Sequence, residues 1–247
     1  MDSWELLYFS VMVVIATAVQ TITGFALGLI LVALCTAFGI MSVIDCAAIV
    51  SLVSMMNTGL LLRRSYRDLN RGVVIAIMVG LIPTLLLGFY WLDQVGRDQV
   101  LLLRTIIGAM VLVAGTTLML RPSPYSSLSA KALFFGSGLI GGLFGGLFSA
   151  AGAPIAYLMY RQPLAISVIR SSLLAVFFLS TFVRAVTGGF AGHYTPDVLI
   201  KTLVAAPVML VTTMLIEPTL PAIPDQAVRR LVFLCLMALG LYLLLAP

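Results

Sequence analysis

Charge is scarce in this chain: 9% of residues are Asp, Glu, Lys or Arg, 62% are hydrophobic, and mean hydropathy is +1.16. Soluble domains carry about 25% charged residues, so a water-facing globule is excluded and the chain reads as an integral membrane protein. Histidine occurs once, as His193, which excludes a multi-histidine metal centre. Cys35, Cys46 and Cys235 lie scattered through apolar runs without paired spacing, and they read as small core residues. No Walker-type phosphate loop is present, which argues against a built-in ATPase. No cofactor is expected. Acidic residues are missing from the depths of the apolar runs, where a carrier of cations or protons usually keeps one. The net charge of +5 is not a nucleic-acid signal, because Lys and Arg in a membrane protein mostly mark cytoplasmic loops. The opening MDSWELLYF is acidic, without the basic region and cleavage site of a signal peptide. It is read as the start of the mature chain.

What is present is a set of apolar runs, at about 6–38, 43–62, 72–92, 99–120, 132–160, 165–187, 198–216 and 228–246. Most have the roughly 20 residues that a spanning helix needs. The first and fifth are longer, and both contain helix-breaking patterns. In the fifth, GSGLIGGLFGGLFSAAGAPIAYLMYRQ (136–162), Ser149, Gly152 and Pro154 interrupt any helix; in the first, QTITGFALG (20–28) is a weaker copy. Irregular backbone at membrane depth is tolerated only where protein buries it or where it lines a cavity. Paired breaks in two halves of a transporter point to its substrate site.

The halves repeat at an offset of 125. Ser42-Val43-Ile44-Asp45 matches Ser167-Val168-Ile169-Arg170, Arg104 matches Arg229, and Gly115–Leu118 matches Gly240–Leu243. The fold class expected is therefore an all-α polytopic membrane protein of two homologous halves, 1–122 and 123–247. Each half has a broken or re-entrant first segment plus three transmembrane helices. If the first segments cross fully, the repeats are parallel and the basic residues divide almost evenly. If they re-enter, the repeats are inverted. Arg63, Arg64, Arg67, Arg71, Arg121, Lys131, Arg161, Arg170, Arg229 and Arg230 then share one side, against Arg97, Arg104, Arg184 and Lys201. Asp2, Glu5, Asp45, Asp93, Asp98 and Asp197 gather opposite the larger group. The positive-inside rule favours the inverted arrangement, with both termini outside.

In that arrangement each hairpin has a second arm starting near mid-membrane, around Gly24 and around Ser149. A helix N-terminus presents free N–H groups and about half a positive charge, and so favours anions. Gln20, Thr21, Thr23 and Ser149 can donate hydrogen bonds there, while Gly24, Gly28 and Gly152 let a ligand approach the backbone. Competing structural readings stand beside these. Gln20 can bond a neighbouring helix, and Thr21 and Thr23 their own backbone. Gly138, Gly142 and Gly146 form a small-xxx-small ridge of the kind used for helix packing. Arg170 and Arg184 either snorkel to the two interfaces or collect anions at the two mouths. Asn57 either bonds between helices or lines the pathway.

These residues resemble the sulfite exporter TauE/SafE family, also called the TSUP membrane permeases. The second half carries most of the resemblance, through Gly138, Gly142, Gly145, Gly146, Gly152-Ala153-Pro154, Ile169-Arg170-Ser171-Ser172, Arg184 and LGLYLLL at 239–245. The first half adds Thr23-Gly24-Phe25, Gly28, Ala47 to Ser51 and Arg63-Arg64. The resemblance implies a multi-pass plasma-membrane protein that moves sulfite, sulfonates or related anions. It also implies that the substrate region is the glycine-rich breaks and the arginine after them, Arg170 with Ser171. Ala26-Leu27, Ala150-Ala151 and Ala153 stand where the family often has glycine, and no proline follows Gly28. These bulkier residues bear on the size of the site.

The expected function is export of a small sulfur-containing anion through a midplane site. The expected partners are that anion and bilayer lipid, with no nucleic acid; a homo-oligomer is compatible with the sequence. A membrane-embedded enzyme needs a titratable cluster that the runs lack. A membrane anchor or assembly subunit, or a carrier of another small organic anion, are the alternatives.

Overall fold

The computed structural model describes residues 3–95, 99–119, 125–218, 234 and 237–245. Asp2, Arg97, Asp98, Arg121, Arg229, Arg230 and Cys235, the 122/123 boundary and most of the eighth apolar run lie outside the described residues. Within them the chain is helical, with no strand: α1 (Ser3–Thr23), α2 (Leu27–Ala37), α3 (Val43–Ser65), α4 (Arg71–Val95), α5 (Val100–Met119), α6 (Lys131–Phe148), α7 (Gly152–Met159), α8 (Ile166–Phe190) and α9 (Pro196–Ile216). Residues 237–245 are also helical. Six of these helices are long and apolar enough to cross a membrane. It is a multi-pass membrane protein.

Local chemistry sets several helix starts. The Ser42 hydroxyl accepts from the Asp45 N–H at the head of α3, the Asn70 side chain accepts from the Val73 N–H at α4, and the Thr195 hydroxyl accepts from the Val198 N–H at α9. Each satisfies a first-turn amide that has no partner within its helix.

Both long runs break as expected, α1 from α2 at residues 24–26 and α6 from α7 at residues 149–151. The second arm then turns back. A Cβ on Gly141 would lie 2.6 Å from Ile155 Cδ1, which places α7 alongside α6. At the far end the Tyr125 N–H donates to Arg161 O at 2.7 Å and the Ser129 N–H to Gln162 Oε1 at 2.9 Å. The start of α6 and the end of α7 therefore share one face. In the first half, Glu5, Tyr8 and Met12 of α1 border one groove with Leu34 of α2 and with Phe38 and Ile40 beyond it, so α2 also returns toward the start of its partner.

Helices α3 and α8 run antiparallel through the centre. Arg184, late in α8, bonds Ala47 O at the start of α3, while the Asn70 N–H beyond the end of α3 bonds Ser172 Oγ at the start of α8. Helix α6 lies backbone-to-backbone against α4. A Cβ on Gly138, Gly142 or Gly146 would strike the carbonyl oxygen of Ile77, Leu81 or Leu85, and one on Gly80 or Gly88 would strike that of Phe135 or Leu143. The ridge is thus a packing device, as small residues in membrane helices commonly are. Gly108 and Gly240 do the same between α5 and residues 237–245.

Candidate functional site

The two breaks are built alike. Gly24 has φ 79° and its N–H bonds Gln20 O; Ser149 has φ 55° and its N–H bonds Gly145 O. Each closes its first arm with a left-handed residue, the common C-terminal solution for a helix. Helix then resumes at Leu27 and at Gly152, and in both cases the residue at the N-cap is alanine, Ala26 and Ala151. Alanine has no side-chain acceptor. The first-turn amides of α2 and α7, which Ser, Thr, Asp or Asn would ordinarily satisfy, therefore lack a side-chain cap at both ends.

These two helix starts meet. A Cβ on Gly28 would fall on the carbonyl oxygen of Ser149 and 3.0 Å from Val50 Cγ1, and one on Gly152 would lie 3.0 Å from Phe25 Cδ2. Between them is a cavity of about 20 Å³, bordered by Gln20, Phe25, Gly28, Ser54, Ser149, Gly152, Phe177, Ser180 and Thr181. That is close to the room one water-sized group needs. The Ser149 hydroxyl is buried at the cavity with no protein partner. An unmade hydrogen bond of this kind costs about 1–3 kcal/mol, and a ligand oxygen would satisfy it.

A buried polar chain positions Gln20. Thr213 Oγ1 donates to Asn57 Oδ1 at 2.8 Å, Asn57 Nδ2 to Gln20 Oε1 at 2.7 Å, and Gln20 Nε2 to Ser54 Oγ at 3.2 Å. The Gln20 amide carries two N–H donors, and one serves Ser54. Asn57 thus bonds between helices and is not part of the cavity wall.

The arginines do something the sequence did not show. Arg170 Nη2 donates to Thr21 O at 2.6 Å, and Arg184 Nε donates to Gly146 O at 3.1 Å. Thr21 and Gly146 stand 125 residues apart, each in the last turn of a first arm. Each cation therefore caps the negative pole of a broken helix, just behind the cavity. Arg184 is 1% exposed, which rules out snorkelling for it. Among the described residues no Asp or Glu is buried. The Tyr194 phenol, beyond α8, is held protonated by burial above its ordinary range, with its Ser51 bond and the Arg184 charge opposing, and it donates to Ala185 O.

Thr21, Ser171 and Pro154 fall outside the cavity. The Thr21 hydroxyl turns to Thr17 O, Thr23 closes α1, and Ser171 is buried on α8. Pro154 occupies the third position of α7, where its missing N–H would have been unpaired anyway, so the break precedes it. Sequence reasoning missed Ser54, Phe177, Ser180, Thr181 and Thr213. The available signal was a hydroxyl inside an apolar run, at helical spacing from its neighbours.

Comparison with known proteins agrees with this architecture. The model of the sulfite exporter TauE/SafE family matches residues 9–243. The chain belongs to the sulfite exporter TauE/SafE family. As a member of that family it is a membrane transporter. A protein named as the probable sulfite/organosulfonate exporter TauE of Cupriavidus necator is 31% identical over 229 residues, covering 93% of this chain and 90% of the relative. No solved structure matches the chain. Gly24, Gly28 and Gly152 sit at the paired breaks.

Proposed function

We propose that this transporter carries a small sulfur-containing anion, sulfite or a small organosulfonate, outward across the plasma (inner) membrane. The anion binds between the N-termini of α2 and α7. One observation carries the reading: two helix starts without side-chain caps face one buried cavity, beside a serine hydroxyl that has no protein partner. Such ends attract anions without a full charge in the wall, and Arg170 and Arg184 add positive potential from behind. The name of the Cupriavidus necator relative supports the sulfur class.

The architecture we propose is an inverted repeat of residues 1–122 and 123–247. The helix boundaries support it: Thr23 and Phe148, Leu27 and Gly152, and Arg71 and Pro196 are all 125 residues apart. So does the antiparallel pairing of α3 with α8, which occupy corresponding places in the two halves. The face shared by Lys131, Arg161 and the end of α3 also carries Arg63, Arg64, Arg67, Arg71 and Arg170, while Arg104, Arg184 and Lys201 lie toward the other. The positive-inside rule supports a cytoplasmic first face.

An inside-negative potential favours export of an anion by about 2.3 kcal/mol per charge per 100 mV, so export needs neither ATP nor a carboxylate relay. The test is flux in proteoliposomes containing only this protein, with sulfite and methanesulfonate compared with chloride, sulfate and a neutral solute at two clamped potentials. Saturable, potential-sensitive flux of the sulfur anions is expected. Well-folded protein that moves none of these anions would return the assembly-subunit reading.

A further inference from the structure

We propose that Arg184, with His193 and the Phe89 ring, forms a second small-oxyanion subsite between the central cavity and the face where α8 ends. The inference rests on the anion reading above. Arg184 is a buried cation whose partners are two neutral carbonyls, Gly146 O through Nε and Ala47 O through Nη1; its Nη2 has no protein partner. A guanidinium keeps its charge and its five N–H donors in any protein setting. At membrane depth such a charge is ordinarily paired. The ion pairs among the described residues are Arg64–Glu217, His193–Asp93 and Lys201–Asp197, so no carboxylate serves Arg184.

A second vacancy lies on the same aromatic ring. His193 is 7% exposed; its Nε2 is 2.9 Å from Asp93 Oδ1, and its Nδ1 has no protein partner. The imidazole stacks on Phe89 with centroids 5.0 Å apart, and Arg184 Cζ lies 5.4 Å from that same Phe89 centroid. Asp93 fixes the Nε2–H, which leaves Nδ1 of the neutral ring as an acceptor. Arg184 thus offers an N–H donor and His193 a lone pair, both beside the Phe89 ring. That suits a singly protonated oxyanion such as hydrogen sulfite.

Position gives the subsite its use. Gly146 is in the last turn of α6, just before Ser149, so Arg184 stands next to the central cavity. Phe89 and Asp93 lie near the end of α4, and His193 lies just past the end of α8. An anion leaving toward that face meets Arg184 directly after the helix ends. Two weak sites in series let an ion bind and still depart.

The test is equilibrium dialysis of radiolabelled sulfite against the purified full-length protein in neutral buffer. Wild type is expected to bind two sulfites per chain, and Arg184→Gln one. Should Arg184→Gln fail to fold, His193→Asn replaces it and is expected to weaken one of the two sites about tenfold, the loss of one hydrogen bond. Excess methanesulfonate, which has no proton to give His193, is expected to empty only the central site. A single site in wild type, two undiminished sites in the variants, or methanesulfonate clearing both sites would overturn the proposal. No sulfite bound by folded wild type would instead overturn the anion reading on which it stands.

Discussion

Gly136 and Gly142 share α6 but not its surroundings, and that difference makes a paired test of the packing. A Cβ on Gly142 would strike Leu81 O and Thr84 Oγ1, whereas one on Gly136 meets nothing within 4 Å. Gly142→Ala should destabilise by about 1–3 kcal/mol through overpacking. Gly136→Ala should be neutral or stabilise by up to about 1 kcal/mol through helix propensity. Thermal unfolding in detergent reads both. Ser149→Ala is a residue-scale test of binding. It removes a hydroxyl that makes no protein bond, so the melting temperature should hold or rise while sulfite affinity falls about fivefold to tenfold. An equal affinity would remove Ser149 from the site. Gly28 was legible as a place for close approach, but its neighbour was not. That neighbour is Ser149 O, in the other half of the chain, and only packing brings it there.

At the scale of the helix, the proposed anion site rests on what α2 and α7 leave unsatisfied. An alanine at the N-cap is a poor choice for stability, since Ser, Asp or Asn there contributes about 1 kcal/mol. Keeping Ala26 and Ala151 leaves the amides to a ligand. Ala151→Asp tethers a competing carboxylate at the head of α7. Sulfite flux in proteoliposomes should fall by about tenfold or more, with the protein no less stable; undiminished flux would show that the α7 start does not bind the anion. The capping of Thr21 O by Arg170 belongs to the same scale. Arg170→Ala removes the cation at the end of α1, and about 0.3–1 kcal/mol of stabilisation should go with it, read as a lower melting temperature. The breaks were legible from Gly24, Ser149 and Gly152. The arginine caps were not, because a cation near a helix end in sequence gives no sign of which other helix it will serve.

For the molecule as a whole, the hairpins decide which loops share a side. Single cysteines at Ser127 and Ser167, placed in a background without Cys35, Cys46 and Cys235, should react with an impermeant reagent from one side of the membrane. One at Ala191, past the far end of α8, should react only from the other. Labelling of Ser127 and Ser167 from opposite sides would remove the inverted arrangement. The membrane class followed from composition, and the charge distribution favoured re-entry. The returning contacts, Tyr125 with Arg161 and Ser129 with Gln162, are tertiary and specify where the second arm of the second half ends.

Taken alone, the order of residues determined that this is a helical membrane protein of the TauE/SafE pattern, broken in two corresponding places. Those properties depend on hydropathy summed over about 20 residues and on backbone freedom at single glycines, both of which are local. Tertiary structure decided which side chains surround the cavity. Ser54, Ser180 and Thr181 border it while Thr21, Ser171 and Pro154 do not, because the rotation of each helix is set by its neighbours. The same packing turned Arg184 inward, away from lipid and water. No reading of α8 by itself could have found Gly146 O and Ala47 O as its partners, since they belong to α6 and α3.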